Sequence, residues 1–145
     1  MVISQEQWED KAAKLNFPNQ CWINGSSIGA INGETFDSIN PATGKILARV
    51  AAGTEVEIDL AVSAARQAFN SGVWAHTTPS ERKVLLLRLA DLIEENTEEL
   101  ALLESLDMGK PIRDSLTIDV PGAAAILRWH AEAIDKLYDE VAPTG

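Results

Sequence analysis

Hydrophobic positions recur every three to four residues through most of this chain and change to a strand-like texture only near its start. Residues 4–15 set Trp8, Ala12 and Leu15 on one face behind a capping Ser4, which predicts a short helix. A frayed N-terminal arm is the alternative, because isolated short helices are marginal. From Gln20 to Ala51 the texture is β. Asn24-Gly25 between Cys21-Trp22-Ile23 and Ser26-Ser27-Ile28 is a two-residue hairpin signal, since both central positions tolerate positive φ. Asn32-Gly33 precedes a second strand over Glu34–Ile39, Asn40-Pro41-Ala42-Thr43-Gly44 reads as a turn, and Lys45–Ala51 alternates as a third strand. Strands this short predict a small sheet leaning on helices.

Helical periodicity takes over at Thr54, which forms a capping box with Glu57. Val56, Leu60, Ala61, Ala64, Ala65, Ala68 and Phe69 then supply an apolar face that Gly72 closes. Pro79 opens the next helix, which runs to about Glu95 and carries Val84, Leu87, Leu89, Ala90 and Ile93. Glu98–Leu106 continues with Leu100, Leu103 and Leu106, and Gly109-Lys110-Pro111 is a break. Beyond it lies a helical stretch with Pro121-Gly122 inside. Its last part, Ala123 to Tyr138, is expected to bury Ile126, Trp129, Ala133, Ile134 and Leu137. The predicted fold class is α/β: a small N-terminal β hairpin or sheet followed by four or five helices.

Composition narrows the partners. Twelve Lys and Arg against twenty-two Asp and Glu give a net charge of −10, which repels phosphate and argues against nucleic acid and anionic membranes as ligands. Hydrophobic residues at 46% and charged residues at 23% are globular proportions. The single Cys21 excludes an intrachain disulfide, and no apolar run is long enough to span a bilayer, so a cytoplasmic protein is expected. One domain of 145 residues is short for a two-substrate enzyme.

Candidate chemistry is sparse. Cys21 has no Lys, Arg or His near it in sequence to lower its pKa and reads as a small core residue. His76 in a loop and His130 on the last helix have no third partner at metal-ligand spacing. Glu94, Glu95, Glu98 and Glu99 read as a solvated helix face. The nine glycines form no phosphate-binding pattern, and no nucleophile, base and orienting group stand together. No residue is assigned to catalysis or to cofactor binding.

Three segments nevertheless carry a resemblance. Trp22-Ile23-Asn24-Gly25, Phe36-Asp37-Ser38-Ile39-Asn40-Pro41-Ala42-Thr43-Gly44-Lys45 and Leu103-Glu104-Ser105-Leu106-Asp107-Met108-Gly109-Lys110-Pro111 resemble the N-terminal third of the NAD(P)-dependent aldehyde dehydrogenases. Ala65–Phe69 and Ser80-Glu81-Arg82 match in order and spacing, and the likeness covers residues 20–142. Lys110–Arg113, Asp119–Ala124 and Arg128–Lys136 look most like the γ-glutamyl-γ-aminobutyraldehyde dehydrogenases of putrescine degradation.

The resemblance implies a much longer oxidoreductase that turns an aldehyde into an acid. A cysteine thiolate attacks the aldehyde, NAD or NADP takes the hydride, and a glutamate-activated water cleaves the thioester. In that family the catalytic cysteine, the glutamate and the main NAD contacts lie downstream of the matched region, and Cys21 does not stand in the nucleophile's motif. Residues 1–145 are therefore expected to be an N-terminal segment of the cofactor-binding domain, inactive alone and prone to homo-oligomerise through orphaned apolar faces. The alternative is a non-catalytic truncated homologue that docks on full-length subunits as an interaction module. A reading frame that continues past Gly145 would favour the first, a stop codon there the second.

Two site assignments follow from the same likeness. A monovalent cation, potassium or sodium, is implied at the carbonyls of Ser38 and Ile39 and at Asp107, with simple capping of the break as Asp107's alternative role. Gly122, Ala123 and Trp129 are implied to border the aldehyde tunnel. The alternative for Pro121-Gly122 is that they only shape a helix start.

Overall fold

The fold is a computed structural model that describes residues 3–136; Leu137 and Tyr138, assigned above to the last helix, lie outside the described residues. Ser4 closes a capping box on α1 (Gln5–Lys14), its hydroxyl accepting the Gln7 N–H while the Gln7 side chain accepts the Ser4 N–H. Lys11 Nζ lies 2.7 Å from a Glu98 carboxylate oxygen further along the chain. The segment is thus a capped helix with one ion pair to the rest of the chain.

Two hairpins follow. β1 (Cys21–Ile23) pairs antiparallel with β2 (Ser26–Ile28), and the connecting Asn24 and Gly25 take φ of 50° and 74°, as a two-residue turn requires. β3 (Thr35–Ile39) pairs with β4 (Ile46–Ala51), Thr35 opposite Ala51, with a bulge at Ser38/Ile39. The expected single sheet is therefore two separate two-stranded ones. The loop between them is held by Glu57. Its Oε1 accepts the Ile31 N–H at 2.7 Å, so the link between the hairpins is tied to a helix instead of a strand.

That helix is α2 (Glu55–Ser71), capped by Thr54 and ended by Gly72 at φ 71°. Glu57 Oε2 accepts both the Thr54 N–H at 2.6 Å and the Thr54 hydroxyl at 2.7 Å, and the side chain is buried. The apolar stripe expected to be covered is open instead: Val56, Leu60 and Phe69 are all exposed. Only the alanine side, Ala61, Ala64, Ala65 and Ala68, faces the hairpin turn at Trp22–Gly25 across a shallow groove.

The remaining helices are α3 (Pro79–Glu95), α4 (Thr97–Met108), α5 (Ile112–Asp114) and α6 (Val120–Ala133), with a π-helical turn over Ser115–Asp119 between the last two. Their seam is made of small groups. Ala90, Ala101, Ser115, Ala124 and Ala131 have no exposed surface, and Leu102 and Val120 complete the buried set. This corrects the predicted phase of two faces. Ile126 and Trp129 point outward, 62% and 68% exposed, because α6 meets α3 through Ala124 and Ala131. On α4, Leu100, Leu103 and Leu106 are half-buried, while Ala101 and Leu102 take the centre. Val84 and Leu89 of α3 are likewise exposed. Arg128 Nη2, 2.7 Å from both Asp91 and Glu94, and Lys83 Nζ, 2.6 Å from Glu132, flank the α3–α6 seam. Among the described residues no helix is long and apolar enough to cross a membrane.

Three donated hydrogen bonds, the Thr54 hydroxyl foremost, hold the Glu57 carboxyl down at about 2, below its ordinary 4.5. A depressed carboxylate stabilises the fold fully above pH 4.5 and loses that contribution as pH falls towards 2. Glu57→Gln is expected to unfold at lower urea than the parent at neutral pH, with the gap shrinking as pH drops through that window. Urea titrations at several pH values check it, and a gap that does not change with pH would contradict it.

Candidate functional site

Asn40, buried although polar, organises the turn after β3 by itself. Its Oδ1 accepts the Ala42 N–H at 2.9 Å, its carbonyl accepts the Gly44 N–H at 2.8 Å, and its N–H donates to the Lys45 carbonyl at 2.9 Å. Pro41 is thereby held against the end of α4. A Cβ on Gly109 would sit 2.7 Å from Pro41 Cγ, and Gly109 itself has φ 72°, so only glycine fits there. This contact brings β3 alongside α4, and Ser38 Oγ–H donates to Asp107 Oδ1 at 2.9 Å. The two residues, 69 positions apart in sequence, line one cleft of about 280 Å³ with Phe17, Pro18, Ala48, Val50, Leu103 and Glu104. Its charged groups are the carboxylates of Asp107 and Glu104. Ile39 follows and stays paired with Ile46, and the bulge puts its extra residue, Leu47, on β4.

The second predicted site lies on α6. Gly122 is half-buried, and a Cβ there would meet nothing within 4 Å. Ala123 is exposed, and the Trp129 ring stands edge-on to His130 with centroids 4.9 Å apart. Gly122, Ile126 and Trp129, at i, i+4 and i+7, make one outward face. Pro121-Gly122 lie in the first turn of α6, and the helical run continues back through the π turn to Ile112. What marks the place is the π turn, in which the Val120 N–H donates to the Ser115 carbonyl five residues back.

Sequence reasoning missed the groups that hold this turn. Ser105 Oγ and Ser115 Oγ lie 3.2 Å apart, and Lys110 Nζ forms an ion pair with Asp119 Oδ2. The available signal was Pro121 within a helical run, because proline leaves the carbonyl four residues earlier without its usual partner.

The other candidates have ordinary surroundings. Cys21 is half-buried at the start of β1, against Gly53. His76 is exposed and its ring covers Gly72, while His130 is exposed beside Trp129.

Comparison with known proteins settles the lineage. The family model described as the aldehyde dehydrogenase family matches residues 29–145. The chain belongs to the aldehyde dehydrogenase family. It is 53% identical over 137 residues to the NADP/NAD-dependent aldehyde dehydrogenase PuuC of Escherichia coli K12, covering 94% of this chain and 28% of that protein. It is 50% identical over 144 residues to an aminoacetaldehyde dehydrogenase of Pseudomonas aeruginosa, covering 99% of this chain and 29% of that one. Among solved structures, the γ-glutamyl-γ-aminobutyraldehyde dehydrogenase of Burkholderia cenocepacia superposes with a TM-score of 0.93 at 50% identity, over 97% of this chain and 28% of its own. The chain therefore spans under a third of the length of these aldehyde dehydrogenases. Its paired strands and helix cluster are the α/β architecture of that family, as expected from the sequence motifs.

Proposed function

We propose that this chain is the N-terminal segment of the cofactor-binding domain of an NAD(P)-dependent aldehyde dehydrogenase that oxidises amino- or γ-glutamylamino-aldehydes, as in putrescine degradation. The reading rests chiefly on identity of 50% and above, over nearly the whole chain, to relatives named for such aldehydes. A cytoplasmic, homo-oligomeric enzyme accords with the lone cysteine and the open apolar faces of α2 and α6.

NAD or NADP supplies the hydride acceptor in such an enzyme. Among the described residues none is assigned to the dinucleotide. Among the described residues, the place where a strand runs straight into a helix is β4–α2, and there the Glu57 carboxylate takes the Thr54 donors that a phosphate would need. The segment is assigned the scaffold, with catalytic cysteine and glutamate outside it. NAD(P)-linked assays with γ-glutamylamino-aldehydes and aminoaldehydes are expected to show turnover by the complete enzyme and none by the 145-residue chain. Turnover by the chain alone, or a complete enzyme indifferent to these aldehydes, would overturn the reading.

Potassium or sodium fits the Ser38–Asp107 cleft on donor chemistry. It offers hard oxygens, carries two carboxylates and has no basic group in its lining. Ser38 and Ile39 would contribute carbonyl oxygens and Asp107 its carboxylate. Asp107→Ala in the complete enzyme is expected to flatten the dependence of rate and thermal stability on potassium or sodium. An unchanged salt response would leave Asp107 the simple cap of the break.

Gly122, Ala123 and Trp129 are assigned to the aldehyde tunnel, supported by the open face that Gly122 and Trp129 share, the exposure of Ala123 beside it and the free space over Gly122. A small residue there admits a long substrate. Gly122→Leu is expected to raise KM for long aldehydes by about tenfold, the order of one pocket-filling change, with a smaller effect on acetaldehyde. Equal effects on both would assign Gly122 to the backbone alone.

A further inference from the structure

The buried positions of the last helical run are Ser115, Val120, Ala124 and Ala131, and the first step between them is five residues where the next is four. That extra residue is the π turn. Were the turn α-helical, the residue four positions after Ser115 would occupy the seam, and that residue is Asp119. A carboxylate would then sit among alanines, which is costly without a partner. The π turn moves Asp119 to the edge of the seam and brings Val120 inward. Even there Asp119 Oδ2 is buried and makes no well-aligned hydrogen bond, so its compensation is the charge of Lys110. Lys110 is fixed in turn by Gly109, whose left-handed backbone packs on Pro41.

We propose that Lys110 and Asp119 are positioning residues: their ion pair holds the π register, and that register aims the Gly122–Ile126–Trp129 face of α6 at the aldehyde. Each residue of an α-helix turns by about 100°, so loss of the extra residue would swing this face away by about that angle relative to α5. The register is therefore a determinant of which aldehydes fit, although neither Lys110 nor Asp119 touches the substrate. The second half of this inference rests on the tunnel assignment above; the first half does not.

The test has two arms. In the 145-residue chain, amide exchange by NMR reads the Val120 N–H, which the π turn donates to Ser115. Lys110→Met, which keeps length and removes charge, is expected to speed Val120 exchange by about tenfold or more while Ala131 stays protected, and Lys110→Arg is expected to restore it. Unchanged Val120 exchange in Lys110→Met would overturn the role of the pair. In the complete enzyme, Lys110→Met is expected to shift the KM ratio of long to short aldehydes by about tenfold with kcat for the short one nearly constant, and Lys110→Arg to reverse the shift. Faster Val120 exchange with an unaltered ratio would overturn the aiming of α6. A parent enzyme without aldehyde turnover would instead refute the proposed function, and the exchange arm would still decide the role of the pair.

Discussion

Close approach of α3, α4 and α6 through alanine and serine decides where the larger side chains of those helices go. Ala90, Ala101, Ser115, Ala124 and Ala131 are wholly buried, and such small groups let helix backbones pack near the short end of the usual 8–10 Å spacing. No room remains in that seam for Trp129 or Ile126, so they face outward, as do Val84 and Leu89. An alanine removes little apolar area from water, at about 25 cal/mol per Å², so the seam is geometrically strict but modest in energy. The flanking pairs of Lys83 and Arg128 are half-exposed and add little each. A segment built this way keeps its largest apolar surfaces, Trp22, Phe69, Val73 and Trp129, on the outside. Surfaces of this kind are what a neighbouring domain or subunit covers.

The β half obeys a polar constraint instead. Glu57 sits in the first turn of α2, where the helix dipole favours a negative charge, and collects donors from Thr54 and from Ile31. One carboxylate thereby caps a helix and ties down the loop between the two separate hairpins. The same carboxylate satisfies N–H donors at that helix N-terminus.

What the sequence made legible was local. The cap at Ser4, the capping box at Thr54, the helix start at Pro79, the Asn24-Gly25 turn and the glycine ends of α2 and α4 each depend on residues within four positions of one another, and each formed as read. The faces that point inward were not legible on α4 and α6. There the periodicity was right and the phase was wrong, because phase is set by which partner helix arrives and how closely. A rule that buries the largest apolar residues fails when the partner surface is alanine. The burial of Asn40, and the tie from Glu57 to Ile31, were hidden for a related reason: the partners are backbone N–H groups, which leave no trace in side-chain patterning.

The family motifs gain a physical meaning from this arrangement. Asp107-Met108-Gly109-Lys110-Pro111 is short, yet its members serve two different places. Asp107, on the last turn of α4, faces the cleft with Ser38, while Lys110, just past the reversal at Gly109, reaches the π turn at Asp119. Between them Gly109 lies against Pro41, so the turn after β3 and the break after α4 are one packed unit. The position of the candidate cation cleft and the angular setting of the candidate tunnel helix are consequently not independent. Both are referred to the same glycine–proline contact. Residues with no part in the chemistry can thus be as constrained as those that carry it, because a 1 Å error at the reference point would be transmitted to both sites at once.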